Sequence, residues 1–177
     1  MDLDIFPADG VYGGESGERD GNLCAKIIEP ACPVVATSDD FWEDLVVKND
    51  VDYPNTKRAL EITRQFIADN NLILIGGMAI DMSLKAAGRA GIYLSEKLPD
   101  YDFISPDTAT HAAALSHILC KEHLINVSAI NAMHTTTIKV RSNFTPAADI
   151  GYCPKVIYDH LPTITVGNIR VIHPHFQ

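Results

Sequence analysis

Cysteine is sparse in this chain, long apolar runs are missing, and positive charge is in short supply. The four cysteines, Cys24, Cys32, Cys120 and Cys153, are widely separated and form no Cys-x-x-Cys pair. That spacing argues against a zinc site, and reduced thiols in an intracellular compartment are the simplest reading. The longest strongly apolar runs, such as Leu72-Ile73-Leu74-Ile75, fall far short of the ~20 residues that cross a bilayer, so no membrane insertion is expected. No basic stretch leading into an apolar one opens the sequence, and no secretory signal is expected. Neither the dinucleotide-binding glycine fingerprint nor a Gly-Lys-Ser/Thr phosphate loop is present.

The shortage of positive charge is local. Residues 1–50 carry twelve Asp and Glu against three Lys and Arg, a net charge of −9, whereas residues 51–177 carry eleven of each. Nucleic-acid affinity comes largely from cations that neutralise phosphates, so this balance argues against a broad basic groove and leaves a small local patch open.

What is there fits one soluble globular domain with an appended arm. The hydrophobic fraction is 46%, the mean hydropathy is +0.03, and 177 residues suffice to bury a core. Five glycines between Gly10 and Gly21 alternate with polar residues, which leaves little apolar surface to offset conformational entropy. Residues 1–37 therefore read as an acidic, glycine-rich arm. Its Leu3, Ile5 and Phe6 could dock on a protein partner or on the chain's own domain, and a frayed terminus is an equal alternative. The core, residues 38–177, starts where Ser38-Asp39-Asp40 resembles a helix start.

Within the core, helical spacing of apolar residues predicts a helix from Tyr53 to Asn70. Leu72 to Ile75 reads as a buried strand, Gly76-Gly77 as a break, and Met78 to Ala87 as a helix closed by Gly88. Further on come a strand at Tyr101–Ile104 and a helix at His111–His123. Thr135 to Ser142 alternates, turns at Asn143–Pro146, and pairs back with Ala147–Tyr152 as a hairpin. A last strand spans Ile169–Ile172, after a Gly167-Asn168 turn. The expected fold is α/β (α+β), a mixed sheet flanked by helices.

Three features carry chemistry. Glycines at Gly76-Gly77 allow close backbone approach, and the helix after them offers unpaired N–H groups and a positive dipole end to an anion, although Gly-Gly alone is often only a tight turn. Asp100 and Asp102 point to one face of a strand and Tyr101 to the other, so the two carboxylates repel unless a cation intervenes; a solvated acidic strand is the bland alternative. Asp149 lies in an otherwise apolar strand, where a carboxylate is costly unless paired, hydrogen-bonded or metal-bound. Three such carboxylates suit two divalent ions in an in-line phosphoryl displacement.

Taken in order, the Gly-Gly, the Asp-x-Asp and the third Asp resemble the nucleotidyltransferase superfamily. Around Leu98-Pro99-Asp100-Tyr101-Asp102-Phe103-Ile104-Ser105 the sequence is similar to poly(A) polymerase catalytic subunits of nucleocytoplasmic large DNA viruses. Ala129 to Val140 with His134, Ala148-Asp149-Ile150 and the Pro154–Pro162 stretch extend the resemblance over residues 53–177. It implies that Asp100 and Asp102 ligate Mg2+ (or Mn2+), that Asp149 is the third carboxylate and helps activate a primer hydroxyl, and that Gly76 and Gly77 bind the triphosphate. ATP and an RNA 3′ end are the implied substrates, in host cytoplasm or virion, and no oligomeric state is implied. Lys139, Arg141, Lys85 and Arg89 are weaker phosphate candidates, His134 more often an ordinary histidine, and His173-Pro174-His175 a metal pair without a third ligand.

Poly(A) polymerases of this kind continue past the position of Phe176-Gln177 into domains that help bind base and RNA. A cleft open on one side, with few or no nucleotides added by this chain alone, is the expectation. The competing reading is a weak or inactive core serving as a structural or interaction component of a virus particle. If the arm is an assembly device, deleting residues 1–22 should abolish partner association and spare nucleotide binding. Co-purification and an ATP titration check the two halves, and unchanged association would overturn the docking role.

Overall fold

The computed structural model describes residues 52–94 and 97–177. The acidic arm, with Leu3, Ile5 and Phe6, and the Ser38 helix start lie outside the described residues. The first described element is α1, Tyr53–Asp69, which opens with Pro54, a residue that needs no N–H partner in a first turn. Its buried positions, Thr56, Ala59, Leu60, Thr63, Phe66 and Ile67, recur at helical spacing and form one stripe. Asn71 closes the helix with φ 50°, and Leu72 N–H donates back to the Ile67 carbonyl at 3.0 Å. Asparagine tolerates this left-handed cap, which aims the chain straight into a strand.

That strand is β1, Ile73–Ile75, followed without a loop by α2, Gly76–Ala86. β2 spans Tyr101–Ser105 and α3 spans Thr108–Lys121. The remaining strands are β3 (Ser128–Asn131), β4 (Thr137–Ser142), β5 (Thr145–Tyr152), β6 (Thr163–Val166) and β7 (Ile169–Ile172), with a short helix α4, Lys155–Tyr158, after β5. The strands form one mixed seven-stranded sheet in the order β3-β4-β5-β2-β1-β7-β6. At its centre β2 runs parallel to β5 and antiparallel to β1.

The central strands bury one face against α1 and α3. Tyr101, Phe103 and Ser105 alternate inward with Ala148 and Ile150, and Phe66 meets Phe103 at 6.5 Å between ring centroids. Ser105 Oγ lies 2.6 Å from His111 Nδ1 and accepts the Asp107 N–H at 2.8 Å, tying the end of β2 to the start of α3. The opposite face, which carries Asp102 and Asp149, is only half-buried.

Departures from the sequence reading are local. The helix expected at Met78 begins at Gly76, because Ile75 is extended and the chain turns into the helix in one residue. The helix expected at His111 begins at Thr108, where the Asp107 carboxylate accepts the Thr110 N–H and caps the turn. Only Asn143 and Phe144 form the hairpin turn, both with positive φ, and Pro146 already lies in β5. Strands β3 and β6 went unread and lie at the two edges of the sheet: β3 is mostly solvent-facing with no alternating pattern, whereas the short Thr163-Ile164-Thr165-Val166 of β6 does alternate and packs Ile164 and Val166 against the core.

Phe103 has no exposure and sits where β2 meets α1. Phe103→Ala should lower folding stability by about 3–5 kcal/mol, the range for a large aromatic lost from a close-packed core. Urea unfolding followed by circular dichroism measures it.

Candidate active site

The site is built where β1, β2 and β5 run side by side. Ile75 is opposite Asp102 across the antiparallel β1–β2 pair, and Asp102 is in register with Asp149 across the parallel β2–β5 pair. Residues in register share a face, so the two carboxylates sit next to one another on the half-open side of the sheet. One strand further, Lys139 in β4 is opposite Asp149, with Nζ 3.0 Å from Asp149 Oδ2. Asp100 lies just before β2, close enough for its charge to act on Asp102.

The electrostatics follow from this placement. Burial pushes the Asp102 carboxyl up to about 6, the charges of Asp100 and Asp149 push the same way, and Lys139 opposes them. Asp149 is only 23% exposed, with one oxygen on Lys139; its Oδ1 is buried with no hydrogen-bond partner. Such an orphaned acceptor is rare in a folded interior, so this carboxylate is held at a cost that the packing around it does not offset. A set of carboxylate oxygens on a half-open face fits a hard divalent ion. Among the described residues, however, no three His, Cys, Asp or Glu side chains already close into a metal cage.

Gly76 and Gly77 stand against this row. Gly76 has φ 71°, and a Cβ there would run into the Asp102 carboxylate. A Cβ on Gly77 would meet the Tyr93 hydroxyl. Positive φ and the Asp102 side chain together require glycine at position 76, a side chain at position 77 would displace the Tyr93 hydroxyl, and the first turn of α2 lies beside Asp102. Gly76 O also accepts from Gln177 Nε2 at 2.9 Å.

The weaker sequence candidates divide. Lys139, expected on a solvated face, is half-buried and belongs to the carboxylate row. Arg141 keeps its Nε buried without a partner. Lys85 is committed to Asp81 at 2.7 Å, and Arg89 lies beyond α2 in a groove with Pro174 and His175. His134 is exposed and contributes its carbonyl to a turn, accepting the Thr137 N–H. His173 and His175 stack edge to face at 4.9 Å.

Asp81 and Tyr93 were missed in the sequence. Burial raises the Asp81 carboxyl, but the Lys85 ammonium and the Tyr93 N–H outweigh it and hold the group below its usual range. This buried acid fastens the segment after α2 back onto the helix, bringing Tyr93 over Gly77. The only available signal was an acid on the apolar side of a helix four residues before a lysine.

A mixed sheet backed by helices, with paired carboxylates beside a Gly-Gly helix start, is a nucleotidyltransferase-type fold. It superimposes on the crystal structure of the Megavirus polyadenylate synthase with a TM-score of 0.72 at 23% identity, covering 96% of this chain and 34% of that one. The sequence profile of the poly(A) polymerase catalytic subunit matches residues 61–177, and the chain belongs to that family. Its relatives include proteins described as poly(A) polymerase catalytic subunits. One from African swine fever virus is 38% identical over 136 residues, 77% of this chain. One from Acanthamoeba polyphaga mimivirus is 30% identical over 123 residues, 68% of this chain. The chain spans 28% and 21% of the length of these two relatives.

Asp102 supplies a pH prediction. Its carboxyl titrates near 6 in the fold and near 3.9 in an unfolded chain, so the folded state holds the extra proton between those values. Stability conferred by that proton is lost as pH rises through the window and stays lost above it. In EDTA at neutral pH, Asp102→Asn should therefore melt above the wild type and lose the decline between about pH 4 and 6. A melting series against pH checks both.

Proposed function

We propose that this chain is the nucleotide-binding catalytic core of a poly(A) polymerase, transferring AMP from ATP to an RNA 3′ end with a divalent metal. The observation that carries the reading is the register of Asp102 with Asp149 beside the first turn of α2. Asp100, Asp102 and Asp149 are the residues that would hold Mg2+ or Mn2+. Bound there, such an ion neutralises triphosphate charge and makes the attacking hydroxyl more acidic.

The chain's own groups divide the remaining work. The first-turn N–H groups of α2, set beside Asp102 because Gly76 lacks a side chain, receive the triphosphate at the positive end of the helix dipole. Asp149 faces the 3′-hydroxyl, orients it and favours loss of its proton. The 3′ oxygen then bonds to the α-phosphorus of ATP while the bond to the bridging oxygen breaks, and pyrophosphate leaves. Phe103 and Ser105, packed on α1 and α3, hold β2 rigid beneath Asp102, so the carboxylates are aligned before substrate arrives. Family membership supports the substrate class, and the pairing of Asp102 with Asp149 in register on the half-open face supports a cation at this place rather than elsewhere on the sheet.

The test is ATP binding with Mg2+ or EDTA, alongside AMP incorporation into an RNA primer. The wild type should bind ATP only with the metal. Asp102→Asn and Asp149→Asn should each abolish that dependence and lower any incorporation by about 100-fold or more, the usual scale for losing a preorganised electrostatic group. Metal-dependent ATP binding that survives both substitutions would overturn the site.

A further inference from the structure

Lys139 is the feature that the family assignment leaves unexplained. It lies directly across from Asp149, its ammonium is 3.0 Å from Asp149 Oδ2, and both side chains are about four-fifths buried, at 22% and 23% exposed. Asp149 Oδ1 is sealed from solvent, so an ion arriving from the half-open face meets Oδ2, the oxygen that Lys139 holds. Arg141, two residues along the same strand, forms no ion pair with Asp149; among the described residues Lys139 alone does so.

We propose that Lys139 is a resident counter-ion that must leave Asp149 before a divalent cation can take the site, so that metal loading and lysine release are one exchange. This rests on the reading of Asp102 and Asp149 as metal ligands. Without a cation, three neighbouring carboxylates on a half-buried face repel one another, and the ammonium offsets that repulsion. With a divalent ion present, two positive charges would share one carboxylate at contact distance, and the more strongly charged one wins. Lysine suits such a role because it is a point charge on a flexible four-carbon stem; an arginine would grip the carboxylate with two parallel hydrogen bonds. Lys139 is thus a positioning residue, setting how readily Asp149 becomes available and leaving its ammonium free once metal is in place.

The experiment is a Mn2+ titration of the full chain without nucleotide, followed by electron paramagnetic resonance, on wild type, Lys139→Met, Lys139→Arg and Asp149→Asn. Removing the competing charge should tighten Mn2+ binding by about tenfold in Lys139→Met. In EDTA the same variant should melt below the wild type, and Lys139→Arg should bind Mn2+ more weakly. A measurement on the unaltered chain guards against misfolding. Amine-reactive labelling read by mass spectrometry should rise several-fold at Lys139 on adding Mn2+, with exposed Lys57 as the unchanged reference. Mn2+ binding that is lost in Asp149→Asn but not tightened in Lys139→Met, or labelling of Lys139 that Mn2+ leaves unchanged, overturns the exchange and spares the metal site. Absence of Mn2+ binding by the wild type, or binding unaffected by Asp149→Asn, overturns the site and the exchange together.

Discussion

Two carboxylates held side by side on neighbouring strands are a standing cost, and much of the structure around them follows from it. Asp102 and Asp149 are fixed by backbone register, so they cannot swing apart without breaking the centre of the sheet. The molecule meets the cost in two ways: Lys139 pairs with Asp149, and Asp102 is displaced toward its protonated form. Neither is a resting arrangement that stability alone would select. Removing the charges would be cheaper than balancing them, which accords with the metal site proposed there.

The rest of the core makes that arrangement rigid. Phe103 and Ser105 anchor β2 on the helical layer, and the antiparallel partner β1 delivers Gly76 against Asp102. Because α2 starts at Gly76 itself, the helix N-terminus and the carboxylates come within one residue of each other along the sheet edge. Asp81 then draws the following segment back, so that Tyr93 covers Gly77. The carboxylate row is thereby flanked by secondary structure, with β1 and the start of α2 on one side and β4 on the other.

Much of this was legible from residues alone, because the signals were local. The apolar stripe of α1, the unbroken run before Gly76 and the alternation through Asp100-Tyr101-Asp102 each reflect a period set by backbone geometry. Edge strand β3 was not legible, since a solvent-facing strand needs no apolar alternation and is defined by its neighbour's hydrogen bonds, whereas the four alternating residues of β6 were legible and went unread. Asp81 was legible only in part: Lys85, four residues on in the same helix, is a local signal, but the Tyr93 N–H reaches the carboxylate only once the segment folds back.

The hairpin of β4 and β5 shows where the division falls. By itself the sequence determined that two strands meet at a turn near Asn143, that Asp149 lies in the second, and that Lys139 lies in the first. Counting back from the two-residue turn without interruption pairs Ile138 with Asp149. In the fold, Pro146 has no N–H to give to the ladder and the register shifts between Val140 and Arg141, so Ala147 has no opposite number and Lys139 moves into line with Asp149. One extra residue in one strand therefore chose between an isoleucine and an ammonium as the neighbour of the carboxylate. Residue types and periods are written along the chain, whereas register is settled between chain segments, by which hydrogen bonds the assembled sheet can complete.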